Sequence, residues 1–116
     1  MERVTGIGGI FFRAADSKDL AEWYATHLGV VGDPVWMQAA GPTIFAPFRQ
    51  DTDYFGRDGQ QWMVNFRVRD LEAILAQLAA AGIAAETRAE WDSPDVGRFA
   101  RIHDPEGNPI ELWQPA

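Results

Sequence analysis

The chain contains no cysteine, which removes disulfide bonds and thiolate chemistry from consideration. Histidine is scarce too. His27 falls on a helical stripe and His103 beside a turn, with no i, i+4 spacing to pair them as metal ligands. Lysine is almost absent: nine of the ten basic residues are arginine, they are scattered singly, and the net charge is −7. Nucleic acid or an anionic membrane therefore finds no basic stripe to hold it. No apolar run is long enough to span a bilayer and the amino terminus is not signal-like, so the expectation is a soluble, cytoplasmic protein. What remains is an acidic chain with five tryptophans, suited to a neutral or cationic, partly aromatic small organic ligand.

The chain repeats itself. Phe12-Arg13-Ala14-Ala15-Asp16 and Phe66-Arg67-Val68-Arg69-Asp70 match at an offset of 54 residues (66 minus 12), and an amphipathic pattern follows each. Leu20, Trp23, Tyr24, His27 and Leu28 form one helical stripe ending at Gly29; Leu71, Ile74, Leu75 and Leu78 form the other, ending at Gly82. Ahead of each aspartate, alternating residues predict a strand: Ile10, Phe12 and Ala14 in one, Val64, Phe66 and Val68 in the other. Further strands are predicted over Trp36–Gln38, Thr43–Phe48, Arg98–His103 and Pro109–Trp113. Each half is thus strand, helix, then more strands. Modules of about 55 residues bury little alone, so residues 1–56 and 61–116 should share one core in a single α+β domain spanning 1–116.

Near the end, Asp104-Pro105-Glu106-Gly107 has the composition of a type I turn, and Asn108-Pro109-Ile110-Glu111-Leu112-Trp113 resumes a strand. This DPEGNPIELWQP ending, with FFRAADSKDLAEWYATHLG near the start and MVNFRVRDLEAILAQLAAAG in the middle, resembles the vicinal oxygen chelate superfamily. Glyoxalase I, bleomycin-resistance proteins and extradiol dioxygenases belong to it. The resemblance covers nearly the whole chain and implies two βαβββ modules forming a curved mixed sheet around a central cup, with the helices outside. It specifies a fold more than a reaction.

In that frame alternation sorts the strand residues into two faces. Ile10, Phe12, Val64, Phe66, Val68, Ile110 and Leu112 would pack beneath the helices. Phe11, Arg13, Met63, Asn65, Arg67, Glu111 and Trp113 would line the cup as ligand-binding residues. Metal-dependent relatives carry a ligand on the first strand of each module, which here falls on Gly9 and Met63, neither a hard-metal ligand. The first-module counterpart of Glu111 falls near Ala46, so Glu111 alone matches a ligand position. The expectation is no metal and no other cofactor. An inward Glu111 needs compensation: either Arg13 and Arg67 bridge to it internally, or it serves as a polar anchor or catalytic base for a ligand.

Two loops carry aromatic residues that water does not favour. Arg49–Gln61 joins the modules and should fold back through Tyr54 and Phe55, as a flap over the cup or a dimer contact. In Trp91–Arg98, both end residues could reach the rim. The functional reading is a glyoxalase/bleomycin-resistance-like small-molecule-binding protein lacking the usual metal site; the alternative is a lyase, isomerase or dioxygenase with an atypical or absent metal site. A homodimer is expected for either, because small modules leave sheet edges that need cover.

Overall fold

Two aspartates start the two helices. In the computed structural model, which describes residues 1–32 and 34–116, Asp16 Oδ1 accepts the Asp19 N–H at 3.0 Å and opens α1 (Ser17–Leu28). Asp70 Oδ1 accepts the Ala73 N–H at 3.0 Å and opens α2 (Leu71–Ala80). Each carboxylate takes an amide donor that the first helical turn leaves free. α1 stops where Gly29, at φ 70°, returns its N–H to the Ala25 carbonyl. α2 unwinds through Ala81 into Gly82 at φ 78°. Both turn-offs need the left-handed backbone that glycine adopts without a Cβ penalty.

A three-stranded sheet follows, built from β1 (Val64–Arg67), β2 (Gly97–His103) and β3 (Pro109–Pro115) in the order β1-β3-β2. β3 runs parallel to β1 and antiparallel to β2. A short 3-10 turn at Ala89–Trp91 precedes β2. Ala100, Ile102, Ile110 and Leu112 are completely buried on one face of the sheet, against Leu20 and Tyr24 of α1 and Leu71 and Leu78 of α2. Phe66 and Val68 extend this core, as alternation predicts. Each fully buried aliphatic side chain contributes about 1.5–3 kcal/mol, so this small two-helix, one-sheet layer is the principal source of stability.

The turn between β2 and β3 also binds α1 to the sheet. Asp104, 4% exposed, closes the turn by accepting the N–H groups of Glu106 at 2.9 Å and Asn108 at 3.0 Å on Oδ1. Its Oδ2 accepts the Tyr24 hydroxyl at 2.7 Å and the Asn108 amide at 2.8 Å. Burial, together with that carboxylate contact, holds the Tyr24 phenol well above its ordinary pKa. Glu106 then reaches back to accept the Ala15 and Asp16 N–H groups at 2.7 and 3.0 Å. Gly107 completes the turn at φ 83°. A buried carboxylate with four donors is compensated, so this charge sits in the interior without an ion-pair partner.

The first half departs from expectation. Ile10–Ala14, Trp36–Gln38 and Thr43–Phe48 form no ladder, and Ile10, predicted to lie under a helix, is 54% exposed. Phe12, predicted to lie there too, is 39% exposed, although its ring centroid stands 5.0 Å from Trp62 and 6.4 Å from Tyr24. Alternation chooses which face a strand buries, whereas pairing requires a free edge within reach. Among the described residues, the edges of β1 and β2 receive no first-half strand. The radius of gyration, 14.9 Å, accordingly exceeds the roughly 13 Å of a fully compact chain of this length.

Candidate functional site

The face of the sheet away from the helices carries two cross-strand rows. Asn65 stands opposite Glu111, which stands opposite Arg101; one step along, Arg67 stands opposite Trp113, which stands opposite Phe99. Directly opposed residues project to the same side of a sheet. The second row forms an aromatic floor, with Phe99 and Trp113 stacked at 6.2 Å and 4° and the Trp113 indole N–H donating to Val96 O at 2.9 Å. The first row is polar and centres on Glu111.

Glu111 is held on both oxygens. Asn65 Nδ2 donates to Oε2 at 2.7 Å, and the Tyr54 hydroxyl donates to Oε1. Tyr54 belongs to the segment joining the two halves, so this segment does fold back onto the sheet face. Arg101 fixes it there: its guanidinium donates to Tyr54 O at 2.8 Å and lies 4.6 Å from the Tyr54 ring centroid and 5.7 Å from that of Trp91. Phe48 stacks on Tyr54 at 5.8 Å and 21°, and Trp91 meets its edge at 6.1 Å and 81°. Burial, and then the hydrogen bond to Glu111, push the Tyr54 phenol up to about 12. Arg101 Nε is buried and, among the described residues, has no hydrogen-bond partner.

Several predicted neighbours of Glu111 lie elsewhere. Neither arginine proposed to bridge to it does so: Arg67 donates to Ala39 O at 3.0 Å, and Arg13 is exposed. The parallel register explains this, because it sets Asn65 opposite Glu111 and Arg67 two residues further, roughly 6.6 Å along the strand. Phe11, 95% exposed, and Arg13 line a separate open hollow of about 670 Å³ with Phe12, Arg57, Trp62 and Asn108. Met63 is half-buried just ahead of β1. Arg98 points the other way, toward Glu72 of α2 at 3.9 Å. Two residues not predicted for the site, Phe99 and Arg101, join it, beside Tyr54 and Trp91 from the two loops expected to reach the cup. The signal for Arg101 was present, since the β2–β3 turn length places it opposite Glu111.

The donor set does not fit a divalent ion. Around Glu111 stand a phenol, an amide and a guanidinium, and its two oxygens already accept hydrogen bonds. His27 packs beside Trp23 at 5.5 Å on α1, and His103 is exposed at the end of β2. Among the described residues no three histidine, aspartate or glutamate side chains gather as a metal site would need. Among these residues, too, no helix is long and apolar enough to cross a membrane.

An α+β layer with a mixed sheet is a fold that this chain shares with glyoxalase/bleomycin-resistance proteins. The chain belongs to the Glyoxalase-like domain family, whose model matches residues 9–113, and so to the vicinal oxygen chelate superfamily. Over 57 residues it is 44% identical to "Putative glyoxylase CFP32" of Mycobacterium bovis and of Mycobacterium tuberculosis, a match covering 47% of this chain. The match covers 21% of the length of those curated relatives. Among solved structures it is similar to TnmS3, an antibiotic binding protein from Streptomyces sp. CB03234, at 25% identity and a TM-score of 0.53, over 87% of this chain and 88% of that one. A glyoxalase/bleomycin resistance protein/dioxygenase superfamily member from Sphaerobacter thermophilus shares the fold at 16% identity and a TM-score of 0.52, over 87% and 90% of the two chains.

Proposed function

We propose that this protein binds a small organic ligand on the Glu111 face of its sheet, without a metal ion or other cofactor. The observation that carries this reading is the Asn65–Glu111–Arg101 row, where three polar groups converge beneath the rings of Tyr54 and Trp91. A few fixed polar groups within aromatic walls are what orient a bound small molecule. The similarity to an antibiotic binding protein supports the same reading. Glu111 serves as the anchor, Asn65 aims it, and Trp113 with Phe99 provides the flat surface beside it. An enzymatic alternative would use Glu111 as a general base in a lyase, isomerase or dioxygenase reaction. Both of its oxygens are already engaged by the Tyr54 hydroxyl and the Asn65 amide, which leaves neither free to take a proton from a ligand and favours binding over catalysis.

The two-module arrangement belongs to the same proposal. The first half carries nearly all the exposed large apolar residues, among them Phe11, Met37 and Phe45, together with the unpaired strand segments. Closure of the first-half strands into a second βαβββ module, in a homodimer, would cover both and bring Phe11 and Arg13 toward the cup with Met63 and Arg67. Sedimentation velocity tests the assembly; a monomer at micromolar concentration would remove it from the proposal.

The binding reading is tested by thermal melting against a panel of small aromatic and cationic compounds, with Glu111→Gln alongside the unaltered chain. Glutamine keeps the shape and removes the charge. The variant should keep its own melting temperature within a few degrees and lose the ligand-induced rise. A large drop in stability with an unchanged ligand response would make Glu111 a structural residue instead. Elemental analysis of the natively purified protein addresses the metal: near-stoichiometric zinc, nickel, manganese or iron would overturn the cofactor-free part.

A further inference from the structure

The space above Glu111 is already filled, and by the chain itself. Two open hollows on the surface are lined, respectively, by Arg49, Gln50 and Asp51 and by residues around Phe12 and Trp62; neither is lined by Glu111, Asn65 or Trp113. Tyr54 occupies the position a ligand of the proposed site would take. Its ring has a guanidinium at 4.6 Å from the centroid, a stacked phenyl at 5.8 Å and an indole against its edge at 6.1 Å. Its hydroxyl donates to a carboxylate oxygen. That is a complete recognition environment for a hydroxylated aromatic ring, assembled around an amino-acid side chain.

The segment carrying Tyr54 is built to come away. Its backbone hydrogen bonds are local: Thr52 to Arg49 at 3.1 Å, Gly56 to Asp53 at 3.1 Å and Gln60 to Arg57 at 3.0 Å. Among the described residues none of its backbone N–H groups joins the sheet; only the Arg101 guanidinium holds its main chain, at Tyr54 O. The Arg49–Asp51 pair at its start is exposed to solvent. Lifting Tyr54 would therefore break side-chain contacts and leave every strand ladder intact.

We propose that Tyr54 is a built-in occupant of this site, and that the external ligand displacing it is a planar, electron-rich aromatic bearing a hydroxyl group that takes over the donation to Glu111 Oε1. The inference rests on the binding reading above and specifies its ligand class. The geometry selects each part of that ligand. Arg101 favours an electron-rich ring and opposes a cation. Glu111 opposes a carboxylate and rewards an O–H donor. The stacked Phe48 and the edge-on Trp91 require a flat ring.

The test is a calorimetric titration of the full chain with 2-naphthol and with 2-methylnaphthalene, which has the same shape and no O–H. Tyr54→Phe loses the competing hydrogen bond and keeps the ring. If Tyr54 is an occupant, the variant binds 2-naphthol more tightly than the unaltered chain, by roughly tenfold for one charge-assisted hydrogen bond, and 2-naphthol outcompetes 2-methylnaphthalene on both. Equal or weaker binding by Tyr54→Phe makes Tyr54 a wall of the site and overturns the occupant. Equal affinity for the two probes overturns the hydroxylated class. If binding is lost in Glu111→Gln or Trp91→Ala, the sheet-face site itself stands. Binding that survives both substitutions, or no binding by any form, overturns the sheet-face reading as well.

A second measurement needs no variant. Trypsin cleavage after Arg49 and Arg57 should accelerate several-fold when 2-naphthol is bound, because the segment has been displaced; slower cleavage would mean that it closes over the ligand, and would overturn the proposal.

Discussion

Asp104→Ala should be among the most damaging single substitutions in this chain. The carboxylate accepts four hydrogen bonds and is 4% exposed. Two of the donors, the backbone N–H groups of Glu106 and Asn108, lie on half-buried residues and can turn to water after truncation. The Tyr24 hydroxyl cannot, since Tyr24 is 8% exposed within the core. One buried donor left without a partner costs about 1–3 kcal/mol, and loss of the side chain that organises the turn adds about 1 kcal/mol. The expected total is about 3 kcal/mol. For a chain of this size that lowers Tm by roughly 10 °C. Urea denaturation of Asp104→Ala, Tyr24→Phe and the double variant measures both the total and its origin. Because Tyr24→Phe already removes the stranded hydroxyl, the double variant should be about 1–2 kcal/mol more stable than the sum of the single losses predicts. A loss below about 1 kcal/mol for Asp104→Ala, or strict additivity, would refute the reasoning.

Two further predictions concern tyrosine ionisation and backbone geometry. The chain has only two tyrosines, both held above the ordinary value, so absorbance at the tyrosinate band should show no step near pH 10 while the protein is folded. A group whose pKa is raised by folding stabilises the fold below its unfolded value. The Tyr54 contribution is therefore complete below pH 10 and is lost as pH rises from 10 to about 12. An early step in the titration, at unchanged circular dichroism, would contradict the burial of both phenols. Gly97 sits at φ 128°, where an added Cβ would overlap the Gln114 carbonyl oxygen. Gly97→Ala should then cost at least about 2 kcal/mol in urea denaturation; a cost below about 0.5 kcal/mol would show that the β2–β3 pairing relaxes there.

What was legible in the residues follows from local rules. Gly29 and Gly82 as helix stops and the Asp104–Gly107 turn each depend on a few neighbouring atoms, and they stand where predicted. Period-two alternation also placed Asn65, Glu111 and Trp113 on one face, with Phe66, Ile110 and Leu112 on the other. The partners of Glu111 were not legible in this way. They depend on the register of a parallel pair and on where an aperiodic loop comes to rest, and no local pattern encodes either. Composition did indicate that Tyr54 and Phe55 would leave water, but not that the Tyr54 hydroxyl would meet Glu111. The first-half strand segments stand unpaired for the complementary reason: their alternation is clear, yet a strand forms only with an edge to pair with.

The central claim is that the Glu111 face of the sheet is where this protein takes its ligand. Amide and indole resonances of the isotope-labelled protein, followed by NMR during titration with a mixture of small aromatic compounds, test it most directly, because shifted resonances locate the occupied surface residue by residue, whatever the natural ligand is. The largest shifts should fall at Asn65, Arg101 and Tyr54 and at the indole N–H groups of Trp91 and Trp113, all absent in Glu111→Gln. Shifts gathered instead around Phe12 and Trp62, or unchanged by the loss of the Glu111 charge, would contradict it.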